Sequence, residues 1–139
     1  MVRRPRRIFV TVDRADLVTV ISYLQSSQGM THISLITGRD IGPDLEALYH
    51  LNDGHIVLTV RVQVPKGEPR LPTVTGLYPG SVFYERELES LLGFVIEGLP
   101  EGRRYPVAED WPEDRYPLRK DDAPKPVDKP YQHAEKRDG

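Results

Sequence analysis

Between Ile8 and Asp13 apolar residues alternate, with Ile8, Val10 and Val12 on one side. This is the two-residue period of a half-buried strand. Asp13 then stands where an N-cap belongs, ahead of "RADLVTVISYLQSSQG". There Leu17, Val20, Ile21 and Leu24 recur at helical spacing and predict one buried stripe, with Gly29 as the stop. "THISLITG" reads as a second strand. "DLEALYHLNDGHIVLTVRVQV" holds two alternating runs on either side of Asp53-Gly54, a favoured two-residue hairpin turn. In the second run Ile56, Leu58, Val60, Val62 and Val64 share a face, and Thr59, Arg61 and Gln63 lie opposite. One face should pack on helices and the other should be wetter.

The stretch "PKGEPRLPTVTGLYPG" carries four prolines and three glycines and predicts an ordered loop. Pro79 suits the first turn of a last helix, in which Tyr84, Leu88, Leu91 and Leu92 face inward and Gly93 is the stop. "FVIEG" follows as a short strand. Beyond Leu99 the pattern fails. Seven of the 13 prolines lie from Pro100 onward, and the main apolar residues left are Val107, Trp111, Leu118, Val127 and three tyrosines. Such a segment cannot bury enough surface to order itself, but it suits a docked tail. The expected fold is a two-layer α+β domain over 8–98, with helices on one face of a mixed sheet of four or five strands. A basic arm precedes it at 1–7, and an extended Pro-rich tail follows at 99–139.

Composition narrows the function. The chain has 139 residues, a net charge of −2 and no cysteine. The charge balance gives no case for a nucleic-acid surface, even with Arg3, Arg4, Arg6 and Arg7 at the start. No apolar run is long enough to span a membrane, and the reading is a cytoplasmic protein. Disulfides and Cys-held zinc or iron–sulfur clusters are excluded for this chain alone. The histidines are His32, His50, His55 and His133. A two-residue turn would make His50 and His55 diagonal neighbours on the wetter face, which is half a metal site without a third ligand. The serines lack a nucleophile-elbow context. Glu85 and Glu87, two apart on a helix, cannot act as an acid–base pair. No catalytic or cofactor-binding constellation emerges.

Two charged blocks remain. Glu85-Arg86-Glu87 borders the apolar face of the last helix, and Arg119 and Lys120 follow Pro117 in an extended stretch. Charges beside a core must be paired or lie at an interface. The expectation is one charge network joining the two blocks at a subunit boundary. A solvated helix face is the plainer alternative.

"YERELESLLGFVIEG" followed by "RRYPVAEDWPEDRYPLRKDD" resembles the C subunit of respiratory complex I (NADH:quinone oxidoreductase). It equally resembles the matching small subunit of membrane-bound nickel–iron hydrogenases. The motifs land on Glu85, Arg86, Glu87 and Gly93, then on Pro117, Leu118, Arg119, Lys120 and Asp121. The chain departs from the family at Ser90, where an acidic residue is usual, and at Leu99, where the usual turn has His or Lys. The short length and "EDWPEDRYPLRKD" favour the hydrogenase-type branch. The resemblance implies a peripheral-arm subunit with no cofactor of its own, on the cytoplasmic side of the membrane. It would pack on the large nickel–iron or quinone-site subunit, beside an iron–sulfur subunit, and meet the membrane only through the complex. The interface residues it implies are Glu85, Arg86, Glu87, Trp111, Pro117, Leu118, Arg119, Lys120 and Asp121. A complex I C subunit and a free-standing binding module are the alternatives.

Overall fold

The computed structural model describes residues 6–100 and 116–120. Their elements run β1 (Arg6–Thr11), α1 (Leu17–Ser27), β2 (His32–Asp40), β3 (Asp44–Asn52), β4 (Ile56–Pro65), β5 (Arg70–Pro72), α2 (Val82–Leu92) and β6 (Val95–Glu97). The first four strands form one mixed sheet in the order β1-β4-β3-β2, with β1 parallel to β4 and the other pairs antiparallel. The last "strand" of the sequence reading does not join it. β6 pairs with β5 in a separate parallel two-stranded sheet.

Register decides which side chains meet. Tyr49 lies opposite Val60, Ala47 opposite Val62 and Leu45 opposite Val64. All six are buried, and with Leu17, Ile21, Leu24, Leu88 and Leu92 of the helices they belong to one core. The helices therefore cover one face of the sheet, as the alternation in β4 predicts. Three local expectations are corrected. Asp13 makes no side-chain cap, because a single 3₁₀ turn at Arg14–Asp16 intervenes before α1. A similar turn at Pro79–Ser81 precedes α2. The hairpin turn is longer than two residues, since Asn52 pairs with Val57 and four residues, Asp53 to Ile56, lie between them. It closes on Asp53 Oδ1, which accepts from the N–H groups of His55 and Ile56, both at 2.8 Å.

α2 lies directly on β2, and a glycine makes that contact possible. A Cβ on Gly38 would sit 2.7 Å from Leu92 Cδ1 and 2.8 Å from Leu88 Cδ2. Both leucines are almost wholly buried, so neither has room to swing away. Gly38→Ala should therefore lower unfolding free energy by about 1–3 kcal/mol through overpacking. Denaturant unfolding of the two proteins checks this, and an unchanged midpoint would show that α2 can lift off β2 freely.

Candidate partner-docking site at the end of α2

A helix end exposes carbonyls that have no partner within the helix. At the end of α2 the first two are met locally. Gly93, at φ 83°, donates its N–H to Glu89 O at 3.0 Å, and Phe94 donates to Leu88 O at 3.3 Å. The next two are met from far along the chain. Leu118 N–H donates to Leu91 O at 2.8 Å, and Arg119 Nε donates to Leu92 O at 2.6 Å. The Arg119 guanidinium also lies over the Tyr116 ring, 5.1 Å from its centroid. A cation here complements the negative end of the helix dipole. Gly93 is required twice over. Its backbone is left-handed, and a Cβ would strike Arg119 Nη2 at 2.9 Å and the Tyr116 ring at 3.0 Å.

The next residue fixes the segment to the sheet. Lys120 N–H donates to Asp40 Oδ2 at 2.7 Å. Lys66 Nζ meets the same oxygen at 2.8 Å, and Gly42 N–H donates to Oδ1 at 2.9 Å. Burial by itself would raise the Asp40 pKa. The hydrogen bond from Lys66, then those from Gly42 and Lys120, outweigh it and bring the carboxyl down to about 2.

The single network expected between the two charged blocks does not form. Glu85-Arg86-Glu87 points three ways. Glu85 turns into the core, with no exposed surface, and accepts from Thr73 Oγ1 at 2.6 Å and Val74 N–H at 2.8 Å. Burial pushes its carboxyl pKa up, the Thr73 and Val74 bonds oppose the rise, and Glu89 one turn away adds to it. Arg86 donates to Pro100 O at 2.8 Å. Glu87 faces a groove shared with Leu91 and Leu118. Arg119 and Lys120 bind backbone and Asp40 rather than the glutamates. The physical reason is priority: Glu85 already has Thr73 and Val74 as donors, and buried carbonyls and a buried aspartate need donors more than the partly exposed Glu87 does. Arg86 thus holds the chain at Pro100, and Arg119 holds residues 116–120 at the end of α2. Trp111 and Asp121, also expected at the interface, lie outside the described residues, as does His133.

The helix-free face of the sheet holds a second polar cluster that sequence reasoning missed. Glu46 is 1% exposed beneath Arg39, Arg61 and Gln63. These partners hold its pKa below the usual range, against the upward push of burial. Arg61 in turn lies over Phe9, 5.6 Å from the ring centroid. His50 bridges Thr37 and Thr59 at 3.0 Å each, while His55 is exposed in the turn, so the two are not paired. Among the described residues no three His, Asp or Glu side chains gather as a metal site.

The chain belongs to the family described as respiratory-chain NADH dehydrogenase, 30 Kd subunit, which it matches over residues 10–127. With that family it joins the group of complex I-like and hydrogenase-type respiratory subunits. It is 45% identical over 121 residues to formate hydrogenlyase subunit 5 of Escherichia coli, covering 83% of this chain but only 21% of that protein. It is 30% identical to the membrane-bound hydrogenase subunit beta of Pyrococcus furiosus, covering 84% of this chain and 70% of that one. Its fold is similar to a chain in the structure of the membrane-bound sulfane sulfur reductase, an archaeal respiratory membrane complex. There the TM-score is 0.75 at 27% identity, covering 87% of this chain and 74% of the other. Among the described residues no helix is long and apolar enough to cross a membrane.

Two substitutions test the geometry. Glu85→Ala should cost about 1–3 kcal/mol for the buried Val74 donor alone, whereas Glu85→Gln keeps an acceptor and drops the buried charge. Thermal unfolding should rank Gln well above Ala, and equal losses would refute the inward anchoring. For Asp40 the folded pKa lies below the ordinary 3.8, so the unfolded chain binds more protons in that window. The stabilisation is present above about pH 4 and is lost as pH falls through about 2. Asp40→Asn should be less stable than the parent at pH 6, and the difference should shrink on acidification. A difference independent of pH would show that the Lys66 and Lys120 bonds do not depend on the charge.

Proposed function

We propose that this chain is a structural subunit, without a cofactor of its own, of the peripheral arm of a hydrogenase-type membrane-associated redox complex. It docks on the large nickel–iron subunit, on the cytoplasmic side, with the end of α2 and residues 116–120 at the contact. Arg86, Glu87, Pro117, Leu118, Arg119 and Lys120 border that contact, and Glu85 shapes it from behind. The observation that carries this reading is the unequal length of the relatives. The matching region is 21% of the Escherichia coli protein, whereas this chain covers 70% of the Pyrococcus furiosus subunit. A domain that is part of a long chain in one protein and most of a short one in another points to a partner that the long chain carries in cis. Tethering raises effective concentration without a new contact, and it helps only where the domain already packs on its neighbour. The family description favours a second reading, the C subunit of NADH:quinone oxidoreductase docking on the quinone-site subunit.

The test is purification of the tagged chain from gently solubilised membranes of its own organism, with mass spectrometry of what accompanies it. A stoichiometric nickel–iron large subunit and an adjoining iron–sulfur subunit are expected. NADH-oxidising and quinone-site subunits in their place would select the second reading. A chain that elutes alone at moderate salt would overturn both.

A further inference from the structure

The groove between α2 and β2 is not used by the contacts described above. Ile36 and Gly38 of β2, Leu88 and Leu91 of α2, and Leu118 line it, with Glu87 on its rim. Its volume is about 130 Å³. Apolar cavities of roughly 150 Å³ take up one benzene-sized group, so this groove suits a single aliphatic or aromatic side chain. Among the described residues no strand pairs with the outer edge of β2. Two features of the rim are unbalanced among the described residues. Leu118 is fixed by its own N–H on Leu91 O and by the bonds of Arg119 and Lys120, yet 55% of its surface is exposed. Ordering a leucine costs entropy that burial normally offsets, and here the burial is missing. Glu87 is the second feature. Glu85, Glu89, Asp40 and Glu46 each accept hydrogen bonds, but the Glu87 carboxylate has neither a donor nor a cation among the described residues.

We propose that this groove seats one apolar side chain of the partner subunit while an adjacent arginine or lysine of that same segment pairs with Glu87. The proposal rests on the reading that the chain docks on a larger subunit, and it names where and by what chemistry. Charge complementarity selects the occupant. A purely apolar segment would bury Glu87 unpaired, and an acidic one would add like-charge repulsion. A basic side chain can lay its aliphatic stem over Leu91 and Leu118 and still reach the carboxylate. Leu91, Leu118 and Glu87 would then form the small, central, desolvated cluster in which binding energy concentrates.

The test uses the tagged chain in its native complex, with the photo-crosslinker p-benzoylphenylalanine in place of Leu118 or, as a control, of Tyr23 on α1. Tyr23 is 56% exposed and has no place in the groove. The Leu118 probe should crosslink to one partner-subunit peptide that carries an arginine or lysine beside an apolar residue. The Tyr23 probe should not reach that peptide. In parallel, Glu87→Arg should reduce recovered partner at least tenfold at moderate salt, and Glu87→Gln less. The melting temperature of each free variant should match the parent, because Glu87 has no partner within the described residues. If the partner co-purifies but the Leu118 probe fails to reach it, the groove assignment falls while docking stands. If the probe reaches only the chain's own residues, the groove is filled in cis and the proposal is overturned. If the unsubstituted chain brings down no partner at all, the docking reading falls, and this proposal falls with it.

Discussion

The carbonyls at the C-terminal end of α2 are the constraint on which the site depends. They cannot be buried without donors, and the helix itself supplies none. Gly93 and Phe94 satisfy two of them, and Leu118 and Arg119 satisfy two more from across a span outside the described residues. These bonds fasten residues 116–120 to the rest of the domain. The Leu118 and Lys120 N–H groups and the Arg119 side chain each reach an acceptor outside the segment. Arg119 suits the position because one flat side chain can donate to a carbonyl, complement the helix dipole and stack on Tyr116 at once. Lysine has no such plane to stack.

Glu85 performs the matching task on the other side of the helix. In the loop from Thr73 to Tyr78, Thr73 N–H reaches Glu97 O of β6 and the Leu77 and Tyr78 N–H groups reach Val74 O, which leaves Val74 N–H to find an acceptor beyond the loop. Glu85 supplies it, and also accepts from the Thr73 hydroxyl. Gln25 and Tyr78 fasten the same loop to the α1 side, through Leu77 O and Met30 O at 2.6 Å each. The loop is thus held between the two helices by side chains. The charged signature of α2 is therefore as much a folding device as a surface.

Both helices, β3 and the face of β4 that packs inward were legible because period and burial agree there, whereas β1 alternates although Ile8, Phe9 and Val10 are exposed, and β5 falls in the stretch read as a loop. What was not legible follows from treating charge as a sign of surface. Glu85 stands three residues before Leu88 and seven before Leu92, on the same buried stripe, so its direction follows from spacing once its charge is set aside. The same holds for Glu46, which alternation puts on the wetter face and three neighbours then bury. No local pattern could reveal Asp40 as the acceptor for Lys120, because eighty positions separate them. The hairpin's length was hidden too. Asp53-Gly54 fits a two-residue turn, and only the pairing of Asn52 with Val57 distinguishes the longer one.

Asp40 and Glu85 are both buried carboxylates, and burial pushes both pKa values up, yet their net shifts are opposite. Asp40 has Lys66 beside it, so its charge is compensated and its pKa falls. Glu85 has only neutral donors and a neighbouring Glu89, so its pKa rises. By linkage, Asp40 stabilises the fold at neutral pH and loses that contribution in acid. Glu85 favours the fold below the ordinary carboxylate range and opposes it as pH rises through its shifted value. Among the described residues Asp40 ties Lys120 to the sheet while Leu118 and Arg119 bind α2 without it, so strong acid should loosen the Lys120 end of the segment before it loosens the loop that Glu85 holds. The order matters for assembly. The surface proposed to meet the partner is built from the element whose anchorage depends on charge. The core behind it is anchored by a carboxyl that tolerates protonation. Acid near pH 2 therefore acts on the docking edge first and leaves the loop that Glu85 holds in place beneath it.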